Sequence, residues 1–335
     1  MRRRDFLAVG CVYSASAFAG VKYPEVTDNH PLVFPRDHGA HPDYRQEWWY
    51  LTGWLKTKAG QDLGFQITFF RARPDIDTPN PSRFTPRQVI LAHAALSDPR
   101  VGHLRHDERA ARAALGLAGS KEANTEVWVD DWSLLLSGSL YTAKIEAREF
   151  SLDLQFEATN KLLLQGENGF SRKGNGKGEA SYYYSRPQLA VRGRASGEEV
   201  TGTAWLDHEW SSQYMASQAA GWDWCGLNLD DGSALMGFRM RNKEGGVVFA
   251  PEGVSLEPAR TWKSPRSGTS YPVSMIVKAR AKTFRLEPLM DDQELDARAS
   301  TGTIYWEGAV RAYEGEKAVG KGYLELTGYW KPMKL

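Results

Sequence analysis

The sequence has few cysteines, almost no net charge and few helical patterns. Among 335 residues only Cys11 and Cys225 are cysteines, so a fold built on several disulfides is excluded. Lys and Arg total 42 against 41 acidic residues, a formal net charge of +1, and this balance gives no sign of the local basic excess that phosphate binding requires. We therefore expect no nucleic-acid partner.

Two hydrolase signatures are also missing. No Gly-x-Ser-x-Gly segment occurs, and Ser211 and Ser212 follow His208 without the α/β alternation that surrounds the nucleophile of a serine hydrolase. No His-Glu-x-x-His segment occurs either, so the sequence does not predict a zinc site on a helix.

A metal site without a helical frame needs separate consideration. The pair His38-x-x-His41, with Asp37, Glu47 and His208, could supply nitrogen and oxygen ligands for an open zinc site that hydrolyses an ester or an amide. His38 and His41 lie in a loop with Gly and Pro, however, and hydrogen bonds that hold this loop in place would explain them as well. We expect no metal and no other cofactor, and a metal-assisted hydrolase is the second alternative function.

The amino terminus indicates export. Arg3-Arg4-Asp5-Phe6-Leu7 precedes a short apolar run that ends in Ala17-Phe18-Ala19, the pattern of a twin-arginine signal peptide over residues 1–19. The run is far shorter than the roughly 18 residues of a spanning helix. The mature protein is therefore expected to be periplasmic or secreted and to begin with an extended lead-in over residues 20–36. A competing interpretation makes Cys11 the acylated residue of a lipoprotein.

What the sequence does contain is aromatic residues in period-2 patterns. The 12 Trp, 14 Tyr and 13 Phe favour strands and an aromatic-lined pocket. In the segment 65–70, for example, Phe65, Ile67 and Phe69 fall on one face. Similar short runs recur along the chain with Gly, Asn and Asp between them, which predicts an antiparallel meander.

Two stretches depart from this pattern. The Ala-rich stretch 107–115 is the best helical signal and predicts a short helix or an insertion. The Gly-rich stretch 171–180 predicts a solvated hairpin tip, because it follows no apolar strand and opens no helix. Cys225, between Trp224 and Gly226, is expected to be a buried small apolar side chain and not a nucleophile.

The second half of the chain repeats the first. The segment 48–55, followed by a turn and a strand that ends in Arg71, is echoed by the segment 222–229 and a strand that ends in Arg241. Gly202-Thr-Ala-Trp-Leu-Asp207 also aligns without a gap to Gly320-Lys-Gly-Tyr-Leu-Glu325. We interpret this as the duplication of a β-meander, and each copy is long enough to close a barrel of about eight strands.

At these residues the sequence resembles the carotenoid 1,2-hydratase and AttH-like family of exported proteins. The match covers nearly the whole mature chain and rests on four segments: Asp37-His-Gly-Ala-His-Pro42, Glu47-Trp-Trp-Tyr-Leu-Thr-Gly53, Asp207-His-Glu-Trp-Ser211 and Trp222-Asp-Trp224. Family members described as hydratases add water to the terminal trisubstituted double bond of an acyclic carotenoid without a cofactor.

The resemblance implies a fold and a division of the chain. We expect an all-β protein made of two lipocalin-like (calycin) antiparallel β-barrel domains related by internal duplication. The N-terminal barrel should cover residues 37–210 and the C-terminal barrel residues 211–335. A reaction, if there is one, should lie between the two acidic and aromatic clusters that the two halves contribute.

Hydration of an isolated alkene needs a strong proton donor and a means of stabilising the carbocation that follows. A carboxyl group kept neutral in an apolar pocket can donate, and Trp or Tyr faces can stabilise the cation. In the segment 205–210, strand alternation puts Asp207 and Glu209 on one side and His208 and Trp210 on the other. The resemblance implies that His208 and Trp210 form a pocket pair, with Asp207 or Asp223 as the acid. The candidate catalytic residues are Asp207, His208, Asp223 and Glu209.

Aromatic and loop residues near these acids form the candidate ligand-binding set. Plain barrel core is the competing explanation for the Trp-Trp-Tyr triplet, since buried strands often contain Trp. A bridge between the barrels, with Arg45 or Arg192 as counter-ion, is the competing explanation for Asp207 and Glu209. The candidate ligand-binding residues are Trp48, Trp49, Tyr50, Trp210, Trp222, Trp224, His38, His41 and Glu47.

Two functions of different classes remain open at this point. In the first, the protein binds an apolar isoprenoid, lipid or pigment within or between its barrels and acts as a cofactor-free hydratase. In the second, it is a non-enzymatic periplasmic carrier of a lipid or pigment, and the resemblance to the AttH-like branch implies components of an ABC-type export system as partners. We expect a monomer.

Overall fold

The computed structural model describes residues 21–76, 82, 85–158, 162–279 and 281–333. The predicted signal peptide and Cys11 lie outside the described residues. Within them, the one helical element is a 3-10 turn, Arg36–His38. They include no helix with the length and hydropathy needed to cross a membrane. The prediction of an all-β protein is confirmed.

The first antiparallel sheet has 13 strands in the described residues and curls on itself. The neighbour order is β4-β3-β2-β1-β13-β12-β9-β8-β7-β6-β5, and the short strands β10 and β11 pair with β12. The strands are β1 (Gln46–Thr57), β2 (Asp62–Ala72), β3 (Val89–Ser97), β4 (Arg105–Arg112), β5 (Ala118–Ser120), β6 (Glu126–Val129), β7 (Trp132–Ser137), β8 (Leu140–Glu146), β9 (Ser151–Glu157), β10 (Leu163–Leu164), β11 (Phe170–Arg172), β12 (Ala180–Ala195) and β13 (Glu198–Gln213).

The second antiparallel sheet has 9 strands in the same set of residues. Its neighbour order is β16-β15-β14-β22-β21-β19-β18-β17, and β20 pairs with β21. The strands are β14 (Gly221–Leu229), β15 (Ala234–Arg241), β16 (Val247–Phe249), β17 (Ser255–Lys263), β18 (Ser270–Ala279), β19 (Lys282–Pro288), β20 (Glu294–Ala297), β21 (Thr303–Glu314) and β22 (Lys317–Leu326). The two curled sheets are consistent with two lipocalin-like barrels.

The burial pattern of each strand follows from the two faces of a sheet. In β9, Leu152, Leu154 and Phe156 are buried and Asp153 between them is exposed, because one face meets the barrel core and the other meets water. The central strands β1 and β13 are buried on both faces along most of their length. One face of these two strands lines the first barrel, and the other packs against the second sheet.

The predicted duplication is visible in the pairing of the strands. In the first sheet β1 pairs with β2 on one side and with the last strand, β13, on the other. In the second sheet β14 pairs with β15 and with the last strand, β22. The equivalent strands therefore occupy equivalent places, as the sequence alignment predicts.

The Ala-rich stretch 107–115 is not a helix, and this prediction is wrong. Residues Arg105–Arg112 form β4, which pairs with β3 along its whole length. The pairing with β3 gives the backbone of β4 its hydrogen bonds at a sheet edge, and this tertiary contact outweighs the high helical propensity of alanine.

The predicted division of the chain differs slightly from the limits of the sheets. The predicted boundary between residues 210 and 211 falls inside β13, whose last residue is Gln213. The second sheet begins with Gly221.

The two sheets pack face to face through a shared aromatic core. This core combines Tyr50, Trp54 and Trp205 of the first sheet with Trp224 and Tyr323 of the second. The indole nitrogen of Trp54 donates a hydrogen bond to the backbone oxygen of Gly322 at 2.9 Å. A Cβ atom on Gly64 would lie 2.5 Å from Cβ of Ala309, so the close approach of the sheets requires glycine at this position. The candidate site lies beside this core.

Candidate functional site

A cavity of about 870 Å³ lies between the two sheets. The first sheet contributes Asp207 and Glu209 from β13, and the second contributes Glu325 from β22 and Glu307 from β21. All four carboxyl residues are buried. The aromatic residues of the lining are Trp48, Tyr50, Phe70, Tyr183, Tyr214, Trp222, Trp224, Tyr305 and Trp330.

The aromatic walls meet edge to face. The ring of Trp48 lies 4.6 Å from that of Tyr214, and Tyr214 lies 5.5 Å from Trp222. Tyr50 meets Trp224 at 5.2 Å in the same geometry. These contacts hold the rings in fixed orientations, so the cavity presents broad π faces that favour apolar or cationic groups.

Asp207 is held by three hydrogen bonds from side chains of the first sheet. Its carboxylate accepts from Tyr183 Oη at 2.6 Å, from Ser185 Oγ at 2.5 Å and from Trp205 Nε1 at 2.6 Å. Burial raises the pKa of Asp207 to about 7, although these three donors oppose the rise and Glu209 adds to it. The group therefore titrates near neutral pH.

Glu209 forms a buried ion pair with Lys173. The ammonium nitrogen lies 2.7 Å from Glu209 Oε1, and Ser181 Oγ also donates to this oxygen. The Lys173 nitrogen lies 4.3 Å from the ring centroid of Phe238 and 4.7 Å from that of Tyr183. Burial raises the pKa of Glu209, and the ammonium of Lys173 opposes this rise. The Gly-rich stretch 171–180 is therefore not simply a solvated tip, because it buries Lys173 beneath the cavity.

Glu307 differs from Asp207 in having one oxygen without a partner. Tyr50 Oη donates to Glu307 Oε1, and Glu307 Oε2 is buried with no hydrogen-bond partner in the described part of the chain. Burial raises the pKa of Glu307 well above its ordinary value, Glu325 adds to the rise and the hydrogen bond from Tyr50 opposes it. The raised pKa means that Glu307 is neutral. Because Oε1 accepts the hydrogen bond from Tyr50, the proton of the neutral group is placed on Oε2.

Glu325 completes the group of acids. Trp222 Nε1 donates to Glu325 Oε2 at 2.8 Å. Burial raises the pKa of Glu325 to about 7, the Trp222 hydrogen bond opposes the rise, and Asp207 and Glu209 add to it. Each of these acids makes ionisation of the others more costly, since like charges in one cavity repel.

His208 and Trp210 lie on the opposite face of β13 from Asp207, inside the first barrel. Trp49 and Trp210 belong to the core of that barrel, and Trp49 stacks on the His208 ring at 4.8 Å. Neither His208 nor Trp210 lines the cavity. The structure therefore separates this implied pocket pair from the acids Asp207 and Glu209.

The two loop histidines join the first barrel and not the cavity. His38 Nδ1 lies 3.0 Å from Tyr184 Oη, and burial lowers the pKa of His38 to about 4. The His41 ring stacks on Trp210 with centroids 3.7 Å apart. His41 also bridges two acids, with Nδ1 at 2.8 Å from Glu47 Oε1 on β1 and Nε2 at 3.3 Å from Asp37 Oδ1 in the loop. Hydrogen bonds thus hold this loop against the barrel.

His41, Glu47 and His208 form a potential metal-ligand group among the described residues. Their ligand atoms lie within 4.8 Å of one another. Glu47 borders the cavity, but its carboxylate is already bound by His208 Nε2 at 2.9 Å and by Arg71 Nε at 2.7 Å. A divalent cation would have to displace these contacts and sit beside the Arg71 guanidinium, so the charge of the cluster opposes a metal site.

Asp223 lies inside the second barrel. Its carboxylate is held by Arg239 Nε at 2.7 Å and Arg241 Nε at 2.8 Å, and Tyr329 Oη donates to it at 3.1 Å. Trp222 and Trp224 point the other way and line the cavity, as strand alternation requires. Asp223 is therefore a salt-bridged core residue apart from the cavity acids.

The structure thus brings together part of the predicted site. The predicted residues that line the cavity are Glu47, Trp48, Tyr50, Asp207, Glu209, Trp222 and Trp224. Sequence reasoning missed Glu307, Tyr183, Tyr214, His93 and Tyr305. It also missed the role of Glu325, although the alignment of Glu325 with Asp207 in the two repeats was a usable signal. No comparable signal marks Glu307, because β12 has Ser185 opposite Asp207 where β21 has Glu307 opposite Glu325.

Comparisons with known proteins agree with this architecture. A crystal structure of a Nitrosomonas europaea protein described as an AttH is 48% identical, covers 91% of this chain and 99% of its own, and superposes with a TM-score of 0.85. Kievitone hydratase from Nectria haematococca shares the fold at 16% identity, with 92% of this chain and 97% of its own covered and a TM-score of 0.62. A search of curated protein sequences gives no match.

The model of one protein family covers almost all of the described chain. It is the AttH-like family, and the match runs over residues 25–329. This span contains both sheets and every residue of the four-acid cavity except those near the carboxyl terminus, such as Trp330. The chain therefore belongs to the AttH-like family.

Proposed function

We propose that the protein binds an apolar small molecule in the cavity between the sheets and adds water to an alkene of that molecule without a cofactor. The observation that carries the proposal is the state of Glu307. This residue lines an aromatic cavity, its Oε2 is buried without a partner in the described chain, and burial keeps its carboxyl group neutral. A neutral carboxyl group of this kind can donate its proton to a ligand bound in the cavity.

The first step is transfer of the Glu307 proton to the less substituted carbon of the alkene. The π electrons form the new C–H bond, the adjacent carbon becomes a tertiary cation, and Glu307 becomes a carboxylate. Tyr50 stabilises this carboxylate through its existing hydrogen bond to Oε1. The faces of Trp48, Tyr214 and Trp222 stabilise the cation through their quadrupoles.

The second step is capture of the cation by water. A lone pair of the water forms the C–O bond, and the resulting oxonium loses a proton. Release of the alcohol and return of a proton to Glu307 complete the cycle, so the net reaction adds one water to one double bond. The carboxyl group is regenerated and no redox change occurs.

The hydratase among the similar structures supports the fold and no more, since its identity to this chain is low. The support for a hydratase is the geometry of the cavity. An isoprenoid with a terminal trisubstituted double bond fits its chemistry, because such an alkene gives a tertiary cation and carries an apolar chain for the aromatic walls.

The alternative function is that of a carrier. Two of the four acids are engaged in structural contacts, Asp207 with three hydrogen-bond donors and Glu209 with Lys173. These contacts lie within the first half of the chain and would also suit acids with a purely structural role. In this alternative the protein is exported through its twin-arginine signal and carries a lipid or pigment to components of an ABC-type export system.

The experiment that separates the two functions uses lycopene and geraniol as probes in water enriched in heavy oxygen. The hydratase forms a product that contains one heavy oxygen, whereas the carrier returns unchanged probe that nevertheless co-purifies with the protein. Glu307→Gln keeps the size of the side chain and should retain binding while losing product formation by a factor of 100 or more, on the order expected for a general acid. Glu287→Gln is the matched control, because Glu287 pairs with Arg285 away from the cavity. Wild type that binds the probes without forming product would overturn the hydratase proposal.

A further inference from the structure

A continuous set of hydrogen bonds runs from the cavity to the protein surface. Tyr305 lines the cavity on β21, and its hydroxyl lies 2.9 Å from His93 Nδ1. His93 Nε2 lies 2.8 Å from Ser300 Oγ, and Ser300 Oγ donates to Glu108 Oε2. Tyr305 and His93 are buried, whereas Glu108 is half-buried at the edge strand β4. The four side chains therefore connect the cavity with solvent.

The contacts of Glu108 determine which atom donates in each of these hydrogen bonds. The backbone N–H groups of Ala299 and Ser300 donate to its two carboxylate oxygens at 3.2 and 3.1 Å. Both Glu108 oxygens therefore act as acceptors, and the Ser300 hydroxyl donates its proton to Oε2. A longer contact of this hydroxyl to the Ala297 oxygen, at 3.5 Å, competes weakly.

The direction of the other hydrogen bonds follows from the bond that Ser300 donates to Glu108. Because the Ser300 proton is committed to Glu108, Ser300 Oγ accepts from His93 Nε2–H. His93 is neutral, since burial lowers its pKa to about 3, so its Nδ1 carries no proton and accepts from Tyr305. The lone pairs of the Tyr305 oxygen are then free to accept a proton on the cavity side. Every bond points outward, from Tyr305 to Glu108.

We propose that Tyr305, His93, Ser300 and Glu108 form a proton relay that removes the proton lost by the water during hydration and delivers it to solvent at Glu108. This inference rests on the proposed function. Tyr305 is the catalytic residue of the relay, because it faces the reacting water, and His93 is a positioning residue that acts through it. Tyr305 and Glu307 are two residues apart on β21, so their side chains lie on the same face of the strand, and both line the cavity. The acid and the base are therefore neighbours.

The transfers balance. When the oxonium O–H bond breaks, its proton binds the Tyr305 oxygen, and the original Tyr305 proton moves to His93 Nδ1. The proton of His93 Nε2 moves to Ser300 Oγ, and the Ser300 proton moves to the Glu108 carboxylate, which releases it to water. One proton leaves by this route for each proton that Glu307 takes up from bulk water, so the net charge of the cavity is unchanged after one turnover. Before the next turnover the His93 proton returns from Nδ1 to Nε2 and the Tyr305 and Ser300 hydroxyls rotate back, which restores the outward direction of the hydrogen bonds.

The direction of the relay can be measured without any substrate. In ¹⁵N-histidine-labelled protein, a long-range ¹H–¹⁵N spectrum distinguishes neutral Nε2–H from Nδ1–H imidazole, and the loss of one signal set in His93→Gln assigns that residue. We expect the Nε2–H tautomer at pH 7. The Nδ1–H tautomer would reverse every bond and overturn the relay while leaving the proposed hydration untouched.

The role of the relay is measured with lycopene in heavy water. Reversible protonation by Glu307 puts deuterium into recovered lycopene, and heavy-oxygen water measures addition separately. Glutamine at position 93 can still accept from Tyr305 and donate to Ser300 but cannot pass a proton. We therefore expect His93→Gln to retain deuterium exchange and to lower water addition at least tenfold, so the ratio of exchange to addition rises. Ser300→Ala should raise this ratio as well.

The controls separate the possible failures. His106→Gln makes the same change on the neighbouring strand β4 and should leave the ratio at the wild-type value, since His106 does not line the cavity. Loss of exchange and addition in equal proportion in both His93→Gln and Ser300→Ala would mean a merely structural role and would overturn the relay. Wild type that adds no heavy oxygen would overturn the proposed function and, with it, this role of the relay.

Discussion

Asp207 of the first sheet and Glu325 of the second occupy equivalent positions in their sheets, and both line the cavity between the sheets. Asp207 lies opposite Tyr50 in the pairing of β13 with β1, and Glu325 lies opposite Trp224 in the pairing of β22 with β14. The duplication thus places an acid beside an aromatic residue twice. Packing of the two equivalent faces against each other creates a buried group of acids that neither barrel would form alone.

The raised pKa values of Asp207 and Glu325, both about 7, predict a pH-dependent stability. In the unfolded chain such carboxyl groups titrate near pH 4, so between about pH 4 and pH 7 the folded state binds more protons than the unfolded state. The contribution of each group to the free energy of unfolding therefore falls as pH rises through this window, by up to about 1.4 kcal/mol per pH unit.

Asp207→Asn and Glu325→Gln remove this dependence. Relative to wild type, each variant should gain stability as pH rises from 5 to 8, which urea unfolding at several pH values measures. Comparison with wild type cancels the contributions of the buried histidines, which titrate in both proteins. Asp153→Asn, an exposed change on β9, should show a constant difference. A constant difference for Asp207→Asn as well would contradict a raised pKa.

Lys173 stabilises the fold through Glu209. Replacing it in Lys173→Met leaves a buried carboxylate without its counter-ion, and we expect the free energy of unfolding to fall by about 3–5 kcal/mol. The second change Glu209→Gln in the same chain should restore part of this loss, because no buried charge is then left. Lys177→Met in the same loop is the control, since Lys177 is exposed, and should change stability by less than about 0.5 kcal/mol. Equal effects of the two lysine variants would argue against the buried pair.

The aromatic walls should determine the affinity for an apolar ligand. Trp48→Ala removes a ring that contacts Tyr214 and lines the cavity, and we expect it to weaken the binding of lycopene by about 1–3 kcal/mol. Quenching of tryptophan fluorescence measures the dissociation constant. Trp128→Ala removes a ring that packs on Gly119 in the first barrel and should leave this constant unchanged. Similar losses in both variants would place the ligand elsewhere.

The group of His41, Glu47 and His208 should not require a metal. The Arg71 guanidinium and both imidazoles already bind the Glu47 carboxylate, so these contacts satisfy its charge. We expect elemental analysis of protein purified without an affinity tag to give far less than one equivalent of zinc, iron or manganese. A stoichiometric metal that is lost in His41→Ala would instead support the metal-assisted hydrolase.

The sequence by itself determined the class of fold and the duplication. Period-2 patterns such as Phe65, Ile67 and Phe69 require a sheet with one buried face, and the repeated segments place the equivalent strands in equivalent pairings. Alternation along β13 also separated Asp207 and Glu209 from His208 and Trp210. These are local properties of the chain, since the side-chain period of a strand does not depend on its neighbours.

Only the tertiary structure decided which of these faces meet. Asp223 and His208, like Asp207, lie close to Trp or acidic residues in the sequence, yet neither lines the cavity. Asp223 points into the second barrel, where Arg239 and Arg241 bind it. His208 points into the first barrel, where it binds Glu47. Glu307 carries no local signal, and its raised pKa comes from burial between the two sheets. The burial of Lys173 and the bond from His93 to Tyr305 likewise join residues far apart in the chain. A carboxyl group becomes an acid at neutral pH only when packing removes it from water, and that packing is a property of the whole fold.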